Sequence, residues 1–224
     1  CLPEFNLEQA VAGVVQMMAN AKEPNTVASD YWRKELDHDK YKKTIYDFTG
    51  YNPKEYWENR ALSWTQQAAQ MPIEIEEVKK MFEKTGAKSV LDIGCGDGRW
   101  YPHLKEWGVE KYEGRDISEN LIKAAQLRFP HEKDSFHATK VEDMPSVVDK
   151  VDLVFSYTCL EHITEEEFPK AVEAIKGRGK KLLLIEPTNF TSRYYCHNHD
   201  YEKHFKVIEK VKLADKEIML CDLA

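Results

Sequence analysis

The chain has 224 residues, 42% of them hydrophobic and 32% charged, with a formal net charge of -7. That length allows one sizeable core with room for a small extra lobe. No apolar run is long enough to cross a bilayer, and an acidic balance without a dense Lys/Arg block argues against nucleic acid as partner.

In chain order, residues 7 to 20 place Leu7, Ala10, Val11, Val14, Met17 and Met18 on one helical stripe. A polar break follows, and then a stretch unusually rich in aromatics, including Tyr31, Trp32, Tyr41, Tyr46, Tyr51, Tyr56, Trp57 and Trp64. Its Asn, Asp, Gly and Pro residues and its lack of strict alternation predict helices and loops. Residues 72 to 84 read as a helix with Pro72 near its first turn and Gly86 just past its end. From there short apolar runs alternate with helical stretches. SVLDIG, KYEGRDIS, SFHATKV, VDLVFSYT and KKLLLIEP are expected as strands. Helices are expected over 100 to 107, over ENLIKAAQLRF (with Leu121, Ala124, Ala125 and Leu127 on the buried face) and over EEEFPKAVEAIK. Alternating strands and helices imply parallel strands with crossover helices. The last two strand-like segments, KVIEKVKL and KEIMLCDL, flank ADK and predict an antiparallel hairpin. The fold class expected is therefore α/β: a Rossmann-like, doubly wound, mostly parallel sheet with a C-terminal antiparallel hairpin. A helical cap over residues 1–70 precedes a core over 71–224.

The five cysteines (Cys1, Cys95, Cys159, Cys196, Cys221) are scattered and form no C-x-x-C pair. They read as reduced thiols of a cytoplasmic protein rather than a disulfide framework.

VLDIGCGDGRW, residues 90 to 100, ends a buried strand in three glycines. Such a turn lies at the carboxyl end of the first strand, where ligands of α/β sheets bind. A dinucleotide would need G-x-G-x-x-G, but Arg99 occupies the third glycine position and Gly98 comes one residue early. A P-loop is excluded because no G-K-[ST] follows. About 20 residues on, Asp116 stands at the end of the second strand, at the spacing expected of an acidic partner for such a loop.

Together, Asp92, Gly94, Gly96, Gly98 and Asp116 on this β-α-β frame resemble the class I S-adenosylmethionine-dependent methyltransferases, over roughly residues 70 to 224. The resemblance implies S-adenosyl-L-methionine as cofactor and S-adenosyl-L-homocysteine as product. Gly94, Cys95, Gly96 and Gly98 would let the cofactor's methionine part approach the backbone, and Asp92 would face its amino group. Asp116 would take the ribose hydroxyls and Ile117 the adenine. KVEDMP matches the latter half of the family's next motif, which makes Glu142 and Asp143 candidates at the adenine. Lys140 stands where an Asp is often found. Cys159 would flank the cofactor, and Arg60, in YWENRA, is a candidate for its carboxylate.

Methyl transfer from a sulfonium requires an acceptor aligned opposite the sulfur and about 3 Å from the methyl. Acceptor contacts are therefore expected after strands four and five. His162 and Glu186 follow those strands and are the expected catalytic pair, one to take a proton and one to attract an ammonium or orient a hydroxyl. His197, His199 and His204 invite a metal reading, but their spacing matches no zinc pattern, and no metal is expected. The chain thus reads as a methyltransferase for an N or O nucleophile of a small molecule, the N-terminal segment covering the pocket. The rival readings are a protein or RNA methyltransferase and a catalytically idle scaffold on the same fold.

Overall fold

The computed structural model describes residues 52–68, 74–147, 149–188 and 196–223. The chain divides into compact units between Tyr51 and Asn52, and the second, Asn52–Ala224, holds every described residue. The helix expected over residues 7 to 20 and the aromatic segment up to Tyr51 lie outside the described residues.

The second unit is built from helices α1 (Pro53–Ala68), α2 (Ile75–Glu83), α3 (Tyr101–Glu106), α4 (Glu119–Arg128), α5 (Phe168–Arg178) and α6 (Tyr201–His204). Its strands are β1 (Ser89–Ile93), β2 (Lys111–Asp116), β3 (Phe136–Ala138), β4 (Val151–Tyr157), β5 (Gly179–Pro187), β6 (Lys206–Lys212) and β7 (Lys216–Asp222). They form one sheet in the order β3-β2-β1-β4-β5-β7-β6. The first five run parallel, while β7 pairs antiparallel with both β5 and β6. The expected hairpin is therefore β6–β7, inserted so that β7 lies beside β5.

Strand alternation explains the two layers. Val90, Phe155, Leu183 and Ile185 face one side, where Met81 and Phe82 of α2, Leu104 of α3 and Ile122 of α4 cover them. Leu91, Ile93, Val154, Leu182 and Leu184 face the other side, against Phe168, Ala171, Val172 and Ile175 of α5. Both faces are buried, so the middles of β1, β4 and β5 read as consecutive apolar residues instead of alternating ones. Pro169 sits in the first turn of α5, where its missing N–H has no intrahelical role, which is why the helix tolerates it. Gly86, at φ +62°, closes the end of α2 in the left-handed region. On α4 the buried face is Leu121, Ile122 and Ala125, whereas Leu127 is 83% exposed. Leu121 and Ala125 are buried as expected, Ile122 joins them, and Ala124 is half-buried. Cys95, Cys159, Cys196 and Cys221 are all free thiols.

The turn after β1 is shaped by packing. Gly98 has φ +78°, and a Cβ there would lie 2.8 Å from the Phe129 ring and 3.1 Å from that of Phe136. Gly98→Ala should therefore lower unfolding stability by about 1–3 kcal/mol, from backbone strain and crowding together. Chemical denaturation checks this, and an unchanged midpoint would contradict it.

Candidate functional site

β1 ends where Gly94 turns into the left-handed region at φ +70°, and the backbone N–H groups of Gly94 and Cys95 both donate to the Arg115 carbonyl, at 2.7 and 3.0 Å. A Cβ on Gly94 would lie 2.4 Å from Cys159 Sγ, so the loops after β1 and β4 touch through the missing side chain. Gly96, at φ +56°, is different: a Cβ there would meet nothing within 4 Å. It faces an open cleft across the carboxyl ends of the strands, enclosing about 1020 Å³ including its mouth.

Asp116 organises the cleft floor. Its Oδ2 accepts the Gly96 N–H at 3.0 Å and its Oδ1 the Ser118 N–H at 2.9 Å. Burial pushes its acidity to a pKa of about 6, against the lowering effect of these two hydrogen bonds. Ser118 caps α4 by accepting the Leu121 N–H. Glu58 on α1 accepts the Glu119 and Asn120 N–H groups at the same helix end. α1 is thereby tied to the cleft rim, and its Pro53 and Trp57 line the cleft.

Gly94, Cys95, Gly96, Asp116, Ile117, Glu142, Cys159 and His162 all line this one cleft. Five expected site residues do not, each for a local reason. Asp92 is buried beneath the turn and accepts the Tyr112 hydroxyl at 2.8 Å. Gly98 is packed against aromatic rings, as described above. Asp143 points outward from the single turn Val141–Asp143 and is exposed. Arg60 donates to the Tyr56 hydroxyl on its own helix and lies over that ring. Glu186 is 1% exposed, and its Oε1 accepts the N–H groups of Cys159 and Leu160, at 3.2 and 2.9 Å. It holds the loop after β4 from below, so the expectation that it faces the acceptor is corrected. Burial, and then the neighbouring Glu161, hold its carboxyl well above the usual range.

Further residues complete the cleft wall. Lys140 bridges Glu142 and Glu167, 3.1 Å from each, so the cation at the expected adenine position is neutralised by its neighbours. Trp57, Trp100 and Tyr157 bring aromatic rings to the wall. Thr158, next in the chain, holds φ +51°, which a β-branched residue rarely adopts. The histidines do not gather as a trio. His199 stacks on Phe168 with centroids 3.7 Å apart and places Nε2 2.9 Å from the Ile163 carbonyl, while His204 meets the Phe168 ring edge-on. His162 lies at the cleft with its ring 5.0 Å from that of Trp57 and its Nε2 3.6 Å from Glu161 Oε1.

The methyltransferase domain family matches residues 90–180. Phosphoethanolamine N-methyltransferase 2 of Caenorhabditis elegans is 32% identical over 48% of this chain and 26% of its own length. Norajmaline N-methyltransferase of Rauvolfia serpentina is 29% identical over 44% of this chain and 35% of its own. The chain thus spans about a third or less of the curated relatives it matches. Among solved structures, the Synechocystis magnesium protoporphyrin IX methyltransferase with bound SAH superposes with a TM-score of 0.58 at 15% identity, over 75% of this chain and 97% of the other. A TehB-like enzyme from Corynebacterium glutamicum gives 0.56 at 18%, over 76% and 99%. At these identities the likeness is one of fold.

Asp92 makes stability depend on pH. Burial raises its pKa to about 7, with Asp116 adding repulsion and the Tyr112 hydrogen bond opposing. A raised carboxyl favours the folded state below its unfolded pKa, near 4, and loses that advantage as pH climbs to about 7. Asp92→Asn keeps an acceptor for Tyr112 and removes the ionisation. Its thermal midpoint relative to the parent should rise between pH 5 and pH 8, and a difference constant with pH would refute the assignment.

Proposed function

Since this chain carries a methyltransferase domain of the class I S-adenosylmethionine-dependent family, we propose that it transfers a methyl group to a nitrogen of a small molecule. The observation that carries the reading is the Gly94–Gly96 turn, tied to Asp116 and open where a Gly96 side chain would stand. Backbone there is free for a ligand to approach. Buried carboxylates at Asp92 and Asp116, both with raised pKa, make the floor favourable to a ligand bearing positive charge. When bound, S-adenosylmethionine supplies an electrophilic methyl on a sulfonium.

The chain's own residues divide the work. Asp116 offers its remaining lone pairs to ribose hydroxyls, and Ile117 an apolar surface to adenine. Glu142 stands at the far wall beside Lys140. Asp92 acts through the turn it supports. At the acceptor end, the rings of Trp57, Trp100 and Tyr157 line the wall and suit an apolar amine. The two relatives described above are named as N-methyltransferases, which supports nitrogen over oxygen. His162 accepts the proton that the amine loses, and the Glu161 carboxylate beside it stabilises the imidazolium so formed. Glu186 is a positioning residue, holding the Cys159–Leu160 backbone on which His162 depends. The net charge of -7 weighs against RNA as acceptor.

Turnover of S-adenosylmethionine against matched panels of amines, phenols and carboxylic acids tests the reading. Methylation confined to amines is expected, and methylation of phenols or acids alone would overturn the nitrogen assignment. With an active amine, His162→Ala should cut kcat by roughly 10²- to 10⁴-fold while cofactor affinity holds. An unchanged kcat in folded variant protein would remove His162 from the chemistry. Asp116 binds best ionised, and its pKa in the ligand-free chain is about 6. Cofactor affinity should therefore weaken as pH falls through 6, and Asp116→Ala should cost about 1–3 kcal/mol of binding at pH 8.

A further inference from the structure

We propose that Glu161, His162 and Cys196 form a binding site for a zinc-class divalent cation at the edge of the cleft. One carboxylate oxygen, one ring nitrogen and the thiol sulfur all lie within 4.8 Å of one another. Cys196 Sγ is 3.8 Å from His162 Nδ1, and Glu161 Oε1 is 3.6 Å from Nε2. The edges of a tetrahedral zinc site with ordinary bond lengths are about 3.4–3.6 Å. The two short separations run to different ring nitrogens, of which a metal takes one, and closing the longest edge, at most 4.8 Å, takes a contraction of up to about 1.4 Å.

The surroundings favour such a group. Cys196 is 1% exposed and Glu161 3%, so charge placed there needs balancing. A thiolate, a carboxylate and a neutral imidazole carry two negative charges, which a divalent cation cancels. Loading forms a sulfur–metal bond and sends the Cys196 proton to solvent. Thiolate with imidazole selects zinc-class ions over magnesium or calcium. The scaffold is fixed on both sides. Glu161 and His162 share the turn Leu160–His162, and the His197 N–H donates to the Glu161 carbonyl at 2.6 Å, bringing the Cys196 segment against it. Glu186 braces the turn through the Leu160 N–H, while its Oε2 is buried with no hydrogen-bond partner among the described residues. A second carboxylate thus backs the ligands, as outer-shell groups do at metal sites. Three protein ligands leave one position of a tetrahedron open.

The site bears on activity through His162, and that part rests on the proposed methyl transfer. A ring nitrogen bound to metal cannot take the acceptor's proton, so zinc would inhibit turnover without displacing cofactor. The test is a cobalt titration of the reduced, full-length chain, read by absorption. A thiolate-to-cobalt charge-transfer band is expected, with displacement by zinc. Cys196→Ser should abolish the band, and Glu161→Gln should weaken cobalt binding at least tenfold. Circular dichroism and S-adenosylhomocysteine affinity report whether each variant folds. Absence of the band in the unmodified chain overturns the site whatever the variants do, as does a band retained in folded Cys196→Ser. Homocysteine-cofactor binding without cobalt binding would sink the metal site and leave methyl transfer standing, whereas the reverse would leave the metal site and sink that reading.

Discussion

The Asp116 carboxylate accepts one backbone N–H from the turn after β1 and another from the start of α4. Those two hydrogen bonds fix where the first strand ends, where the helix after the second begins, and how much backbone faces the cleft between them. The parallel pairing of β1 with β2 sets Asp92 beside Gly114, which carries Asp116 to the level of the Gly96 turn. Both carboxylates are buried, and burial raises both their pKa values. Desolvation of charge is a cost to the fold. A cationic ligand offsets it, which joins the stability of the turn to the occupancy of the cleft.

The same logic of loops held from beneath recurs after β4. Glu186 closes β5 and, instead of entering the cleft, ties down the loop that presents Cys159 and His162. Thr158, with its positive φ, begins that loop, and the Thr158 N–H donates to the Ile185 carbonyl at 2.8 Å. A strained residue held by a neighbouring strand directs the following side chains toward the cleft. β7 lies on the far side of β5, so Glu186 is enclosed by sheet, and among the described residues its hydrogen bonds go to the loop.

The fold was largely legible in the sequence because its signals are local. Apolar runs mark the central strands, Gly86 marks a helix end, and the glycine turn with Asp116 lies within one β-α-β unit. What the sequence hid depends on side-chain direction. Asp143 and Glu142 are neighbours in one motif, yet a single helical turn sends one outward and the other to the cleft. Gly98 belongs to the glycine run but answers to Phe129 and Phe136, which arrive from later segments. Arg60 has the right chemistry for a carboxylate and is engaged by Tyr56 on its own helix. The meeting of Cys196 with His162 spans 34 positions and a change of strand, and no spacing rule along the chain could reveal it.

The cleft is suited to an S-adenosyl sulfur compound and not to a dinucleotide. Isothermal calorimetry of the full-length chain with S-adenosylhomocysteine and, in parallel, with NAD tests that most directly. Saturable binding of S-adenosylhomocysteine with no heat from NAD is the predicted result. Binding of NAD with no response to S-adenosylhomocysteine would contradict the account.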